Sequence, residues 1–194
     1  MRQLGKGTRV ERILVAVDAP NLGGALKNLN PDRKIDYFKL RQVLLGDSPA
    51  ETEVRVYFLF WENHDPSVNF RVWLENNGFH SRVKRVHFEQ GPEKRGRAAD
   101  IDHLLMVDVA ADMGRFDILI LVSGDGSYVD LVQQTVRRGK QVLIAAVPKV
   151  NLTFELTDAA SRLIDLEDYE KWSVPKKEKE VPEIGGNGPQ EPGE

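Results

Sequence analysis

The segment ILVAVD, from Ile13 to Asp18, decides the fold class of this chain. Five consecutive apolar residues that lead directly into an acid are typical of a strand buried on both faces. Three further segments repeat the apolar run, at residues 54–60 (VRVYFLF), 118–122 (ILILV) and 142–147 (VLIAAV). A fifth segment, residues 83–88 (VKRVHF), is more polar and is therefore expected at an edge of the sheet.

Helix-like stretches separate these strands. They are predicted over residues 35–45, 68–77, 100–113, 128–138 and 152–161. Strands that alternate with helices pair in parallel through right-handed crossovers. We therefore predict an α/β fold, a three-layer α/β/α sandwich around a mainly parallel sheet of five to six strands. In such sheets ligands bind at the carboxyl ends of the strands, beside the topological switch point.

Composition narrows the class of protein further. The chain has 194 residues and no cysteine, which excludes a disulfide framework, a thiolate zinc site and a cysteine nucleophile. Its apolar runs are too short to span a bilayer, and the N-terminal residues carry no apolar signal segment. We expect a cytoplasmic protein with no membrane partner, and a homo-oligomer stays open.

The C-terminal segment differs from the rest of the chain. Residues 173–194 contain four prolines and four glycines, and their only branched aliphatic residues are two valines and one isoleucine. Such a segment buries too little apolar surface to offset the entropy of ordering its backbone. We predict one domain over residues 9–170, followed by a flexible tail over 173–194.

Two strand ends carry acids. Asp18 and Asn21 follow the first strand, and Ser123 and Asp125 follow the fourth. Each aspartate could simply cap the following helix, which aspartate does well. If the two strands are neighbours, however, Asp18 and Asp125 face each other, and two close carboxylates need a proton or a cation.

The helix predicted over residues 100–113 adds further acids. With 100° per residue, Asp108 falls near the centre of the apolar stripe, where it would be buried and would need a partner. Asp100, in the first turn, could cap the helix or point into the site. Asp102 is expected to face solvent. A hydrogen-bonded buried carboxylate with a structural role is the alternative for Asp108.

Carboxylates around one crevice, without cysteine and with four histidines that show no ligand spacing, suit a hard cation. Mg²⁺ or Mn²⁺ fits this set of oxygen ligands better than zinc. Such ions stabilise charge in phosphodiester hydrolysis and generate hydroxide from bound water.

A basic segment precedes Asp100. Residues 82–97 hold six basic and two acidic side chains, a net charge of +4, although the whole chain carries −3. Its C-terminal part, with Lys94, Arg95 and Arg97, leads directly to the acid. Cations beside metal-binding acids suit a phosphate backbone. A solvated loop that serves solubility is the alternative.

Taken in order, these motifs resemble the NYN domain family, the PIN-like ribonucleases that include LabA-type proteins. The resemblance covers residues 11–166. It rests on an apolar strand that ends in Asp18-x-x-Asn21, on Arg97 followed by Asp100 and Asp108, and on Ser123-Gly124-Asp125 after a strand. It implies a PIN-like, Rossmann-like fold with strand order 3-2-1-4-5 and a divalent-metal-dependent endoribonuclease acting on single-stranded RNA.

The resemblance also implies roles for individual residues. Asp18, Asp100 and Asp125 would hold Mg²⁺ or Mn²⁺, with Asp108 as a further ligand or an acid behind the ligands. Residues expected to contact substrate or to position water are Asn21, Ser123, Ser127, Lys94, Arg95 and Arg97.

One position departs from the family motif. The motif usually continues Ser-Gly-Asp-x-Asp-Phe, whereas this chain has Ser123-Gly124-Asp125-Gly126-Ser127-Tyr128, so Ser127 replaces an acid. A non-catalytic module that binds RNA or a protein partner is therefore the second hypothesis. A receiver-type signalling domain is disfavoured because the third strand does not end in an aspartate.

Overall fold

A computed structural model describes residues 10–48, 50–60, 65–85 and 101–176. Within these ranges the strands are β1 Arg12–Asp18, β2 Arg33–Ile35, β3 Glu51–Phe60, β4 His80–Arg85, β5 Ile118–Val122, β6 Gln141–Ala146, β7 Arg162–Asp165 and β8 Ser173–Pro175. The α-helices are α1 Ala19–Leu29, α2 Tyr37–Leu45, α3 Asp65–Asn76, α4 Ile101–Ala111, α5 Val129–Arg137 and α6 Phe154–Ala159. No helix in the described ranges is both long and apolar enough to cross a membrane.

Six strands form one sheet in the order β4-β3-β1-β5-β6-β7, and every neighbouring pair is parallel. For the five strands predicted from the sequence, this is the expected order 3-2-1-4-5. The polar strand β4 lies at an edge, as its composition indicates. The chain leaves β1 toward β3 and later returns to its other side at β5, so the switch point lies between β1 and β5.

Strand β1 is central because its alternate side chains enter two separate cores. Val15 and Val17 pack into a cluster with residues of α1, α2 and α3. Leu14 and Ala16 pack into a second cluster with residues of α4, α5 and α6. Because the strand is buried on both faces, its sequence is a continuous apolar run. The three-layer sandwich is confirmed.

Helix α1 is absent from the helices predicted by sequence pattern. Pro20, Gly23 and Gly24 lie in its first half, and glycine lowers helix propensity. The helix forms because Asp18 caps its N-terminus and because Leu22 and Leu26 are buried beneath it. Tertiary packing here outweighs weak local propensity.

The ordered chain extends past the predicted domain boundary. Trp172 is fully buried, and its indole nitrogen donates to the carbonyl oxygen of Leu166 at 2.9 Å. Strand β8 then pairs antiparallel with β2. The guanidinium group of Arg33 donates to the side-chain and main-chain oxygens of Ser173 at 2.7 and 2.8 Å. Residues 173–175 are therefore not part of a flexible tail; residues 177–194 lie outside the described ranges.

A truncation series tests this boundary. A chain that ends after Lys176 is expected to keep the free energy of unfolding of the full chain. A chain that ends after Glu170 loses the buried indole and β8, and we expect it to lose about 3–5 kcal/mol, the usual cost of removing a buried tryptophan side chain. Urea unfolding followed by circular dichroism measures both. Equal stability of the two truncated chains would show that the indole and β8 add nothing.

Candidate active site

The buried carboxylate of Asp18 has two different tasks. Oδ1 accepts a hydrogen bond from the main-chain nitrogen of Asn21 at 3.1 Å and so caps α1. Oδ2 accepts from the hydroxyl groups of Ser123 at 3.2 Å and of Tyr128 at 3.1 Å. Only 2% of this residue is exposed. The helix-capping role that the sequence offers as an alternative for Asp18 is therefore present. The second oxygen, Oδ2, faces the hydroxyl groups of the candidate site.

Tyr128 links Asp18 to a second acid. Its hydroxyl lies 3.1 Å from Asp18 Oδ2 and 3.0 Å from Asp102 Oδ1. Ser127 Oγ donates to the other oxygen of Asp102 at 3.4 Å. The sequence predicts that Asp102 faces solvent, but the first turn of α4 in fact brings its side chain to this hydroxyl. Asp102 is therefore a member of the site that the sequence reasoning missed.

In this arrangement one hydroxyl group is shared between two acids. A tyrosine hydroxyl has one proton, so it can donate to only one of the two carboxylates. Burial raises the pKa of Asp18, and the charge of Asp102 adds to this effect, although hydrogen bonds from Asn21, Tyr128 and Ser123 oppose it. Burial and both carboxylates also raise the pKa of the Tyr128 hydroxyl, which stays protonated. A further proton or a cation is needed to balance the pair.

The end of β5 completes this edge of the sheet. Ser123 Oγ donates to Asp18 and accepts from the main-chain nitrogen of Asp125 at 3.2 Å. Asp125 Oδ1 accepts from the main-chain nitrogen of Ser127 at 2.9 Å and caps the short 3-10 helix 126–128. Ser123 thus connects the carboxylate of Asp18 to the main chain of Asp125, because β1 and β5 are parallel neighbours.

Asn21 joins three strand ends. Its side-chain oxygen accepts hydrogen bonds from the main-chain nitrogen of Gly124 at 3.1 Å and from the side-chain amide of Asn151. Asn151 in turn accepts from the main-chain nitrogen of Val147, at the end of β6. The side-chain oxygen Oδ1 of Asn21 is therefore used within the protein. Asn151 was not found from the sequence, because its partner Asn21 is distant in the chain.

Asp108 lies away from this cluster. Arg82, on the edge strand β4, donates to both oxygens of its carboxylate at 2.5 and 2.6 Å. Its side chain is 12% exposed, so Asp108 is half-buried rather than buried, and the expected partner is this arginine. Asp108 follows Asp102 by six residues, a rise of about 9 Å along α4. The structure does not bring it together with Asp18.

Four further residues predicted for the site fall outside the described ranges: Asp100, Lys94, Arg95 and Arg97. Their proposed roles remain predictions from the sequence.

The described side chains supply only part of a metal site. Within the described ranges, no three histidine, aspartate or glutamate side chains are grouped as a metal site requires. The donors present are oxygen atoms of Asp18, Asp102 and Asp125, and the first two acids share the hydroxyl group of Tyr128. Mg²⁺ prefers oxygen ligands, uses one or two carboxylates and keeps several waters. The donor chemistry therefore fits this class of ion.

Comparisons with known proteins agree with the geometry. The model of the NYN domain family matches residues 12–167, from β1 to just beyond β7. The chain belongs to the NYN domain family. Domains of this family are PIN-like and of the nuclease type.

A relative and a solved structure extend the comparison for this NYN domain. The low amplitude and bright protein LabA of Synechococcus elongatus is 25% identical over 186 residues, which cover 90% of this chain and 93% of LabA. A crystal structure of a protein of unknown function from Vibrio parahaemolyticus superposes with a TM-score of 0.72 at 22% identity. The match covers 87% of this chain and 99% of that one. This second likeness supports the fold.

Gly124 offers a test of how this NYN domain holds its site. A Cβ atom there would come within 2.6 Å of the carbonyl carbon of Asn151 and 2.9 Å of Leu152 Cα, which are backbone atoms. We expect Gly124→Ala to cost about 1–3 kcal/mol because the loop after β6 must move. The matched control is Gly24→Ala, since Gly24 is an exposed helical residue with open space around it. Chemical denaturation compares them, and equal effects would contradict the close packing.

The raised pKa of Asp18 predicts how stability depends on pH. Between its ordinary pKa, about 3.9 when unfolded, and the raised folded value, the folded state binds more protons. Stability therefore falls as pH rises through this window, because a buried charge forms. We expect Asp18→Asn to raise Tm at pH 7, with a gain that shrinks below pH 4. Differential scanning calorimetry without divalent ions measures this gain. The exposed Asp158→Asn variant is the control, and a gain independent of pH would contradict the explanation.

Proposed function

We propose that this NYN domain is a divalent-metal-dependent endoribonuclease that hydrolyses phosphodiester bonds of single-stranded RNA. The observation that carries the proposal is the pair of carboxylates, Asp18 and Asp102, that share one tyrosine hydroxyl beside the β1/β5 switch point. A pair of acids with this charge imbalance is suited to bind a cation. Family membership supports the nuclease class of the activity.

Asp18 and Asp102 would hold Mg²⁺ or Mn²⁺, together with Asp100 and Asp125 as the sequence predicts. When bound, such an ion lowers the pKa of water and stabilises charge on a phosphate. The chain's own residues orient the acids: Ser123 donates to Asp18, and Ser127 donates to Asp102. These hydrogen bonds fix the direction of each carboxylate, as outer partners do in metal sites.

RNA binding would draw on the basic segment at residues 82–97, with Lys94, Arg95 and Arg97 contacting phosphates. The segment starts at the edge strand β4, and its sequence runs directly into α4, which carries Asp102. Positive charge next to the acids would hold the RNA backbone without reading its sequence.

A second candidate is a module that binds RNA without cleaving it. Ser127 favours it, because this residue stands where the family motif usually has an acid and contributes only a hydroxyl group to Asp102. Such a module binds RNA equally well with and without divalent ions, and it leaves the RNA intact.

Circular single-stranded RNA tests the proposal, because only an endonuclease can open it. We expect Mn²⁺ or Mg²⁺ to support cleavage by the full chain and EDTA to abolish it. Asp18→Asn and Asp125→Asn should each lower kcat/KM about 100-fold or more, since a lost ligand removes several kcal/mol of charge stabilisation. Cleavage unchanged by EDTA and by both substitutions indicates a contaminant. Binding without cleavage under every condition favours the second candidate.

Asp102 and Asp108 form a matched pair on one helix. We expect Asp102→Asn to reduce cleavage about 100-fold, whereas Asp108→Asn keeps most of the activity because its partner is Arg82. Circular dichroism of both variants shows whether α4 is intact. Loss of activity in Asp108→Asn but not in Asp102→Asn would contradict this assignment. It would support the arrangement predicted from the sequence, in which Asp108 belongs to the site and Asp102 does not.

A further inference from the structure

An apolar pocket opens at the same edge of the sheet as Asp18, on the side of α1 and α3, whereas Tyr128 and α4 lie on the other side. Its volume is about 470 Å³, within the usual range for pockets that bind small ligands. The apolar residues that line it are Ala19, Pro20, Phe58, Leu59, Pro66 and Phe70. None of the residues described along its walls is charged.

The apolar pocket is continuous with the end of β1. Ala19 and Pro20 follow Asp18 directly, at the start of α1. In the sheet, Asp18 is the register partner of Tyr57 on β3, so Phe58 and Leu59 extend one and two residues farther along the same edge. With strands about 4.8 Å apart and a rise of about 3.3 Å per residue, the Cα atom of Leu59 lies roughly 8 Å from that of Asp18. This separation is comparable with one nucleotide of an extended strand.

The walls of the apolar pocket present aromatic surface. The rings of Phe58 and Phe70 lie 4.9 Å apart at an angle of 64°. Phe58 is buried, whereas Phe70 is only half-buried. Phe70 also packs against Tyr37, with ring centroids 5.5 Å apart, so its position is fixed by its neighbours. An ordered, partly exposed ring is suited to stack against a flat aromatic ligand.

We propose that this pocket binds one unpaired nucleobase of the RNA, next to the phosphate that is cleaved. This inference rests on the proposed function. It follows from the structure of a nucleotide, which has a charged phosphate and an uncharged, flat base. The phosphate needs the cation at the acids, and an uncharged pocket one nucleotide away suits the base. A free phosphate or another anion finds no cationic side chain among the described walls.

Base stacking on an aromatic wall has little sequence preference, because every base has a π face. The pocket therefore contributes to RNA affinity and to the choice of unpaired over paired RNA. A base within a duplex is stacked on its neighbours and cannot enter. Selection of single strands would thus come from the pocket, whereas a cation held by the acids would contact only the phosphate backbone.

The experiment uses the full chain and a linear RNA whose cleavage site has been mapped. Abasic nucleotides are placed one at a time on either side of the cleaved bond. We expect one neighbouring position to raise KM about fivefold or more, as loss of a stacked base does, with little change in kcat. Abasic positions farther away should have little effect. This arm needs no protein variant, so folding defects cannot confuse it.

Phe70→Leu is the matching change in the protein, because it keeps apolar volume and removes the ring. On intact RNA it should raise KM to a similar extent. On the sensitive abasic RNA it should add nothing further, since the same contact is already lost. Phe38→Leu is the control: Phe38 is 49% exposed and contacts the rings of Trp73 and Phe79, but it does not line the pocket. It should leave KM unchanged.

The outcomes separate the two proposals. Metal-dependent cleavage with additive losses, or with no sensitive abasic position, overturns the nucleobase pocket and leaves the proposed function intact. Failure of the wild-type chain to cleave RNA overturns the proposed function and this inference with it. If Phe70→Leu instead dissociates a dimer in sedimentation analysis, the pocket is an interface between copies of the chain and the inference is wrong.

Discussion

The arrangement of the site depends on the burial of one carboxylate at the end of β1. Asp18 is almost inaccessible to water, yet it keeps one oxygen for the first turn of α1 and one for the hydroxyl groups of Ser123 and Tyr128. A buried charge is costly unless it is paired. The capping bond lowers this cost, but the neighbouring Asp102 increases it. A positive charge at the switch point would therefore stabilise the carboxylates of Asp18 and Asp102. This stabilisation is the physical basis of the proposed cation site.

The architecture could be predicted because the sequence of β1 indicates both how the strand is buried and where it ends. Its apolar run specifies a strand buried on both faces, and the acid that follows specifies the edge at which the strand ends. The same holds for β5 and Asp125. Helix α1 could not be predicted, because its glycines lower the helix propensity of the segment and the helix is stabilised by tertiary packing. The predicted end of the domain, at residue 170, lies too early in the chain. Burial of the Trp172 indole holds residues against the domain although the composition of the following segment, rich in proline and glycine, predicts a flexible tail.

The acids of α4 show where sequence reasoning fails. A helical wheel assumes that the polar face of a helix points to solvent and the apolar face to the core. The first turn of α4 instead faces the polar crevice at the sheet edge, so Asp102 meets Tyr128. Farther along the helix, Asp108 meets an arginine from the edge strand. Neither partner could be inferred from the spacing along α4, because both come from distant parts of the chain.

The hydrogen bonds of Asn21 have a consequence for how the chain can vary. The side-chain oxygen of Asn21 reaches Gly124 and Asn151 because the residue lies in the first helical turn after Asp18. One residue inserted or deleted between Asp18 and Asn21 would rotate that oxygen by about 100° around the helix axis. The two-residue gap between Asp18 and Asn21 therefore fixes the direction in which the side-chain oxygen of Asn21 points. This gap is set by the pitch of a helix.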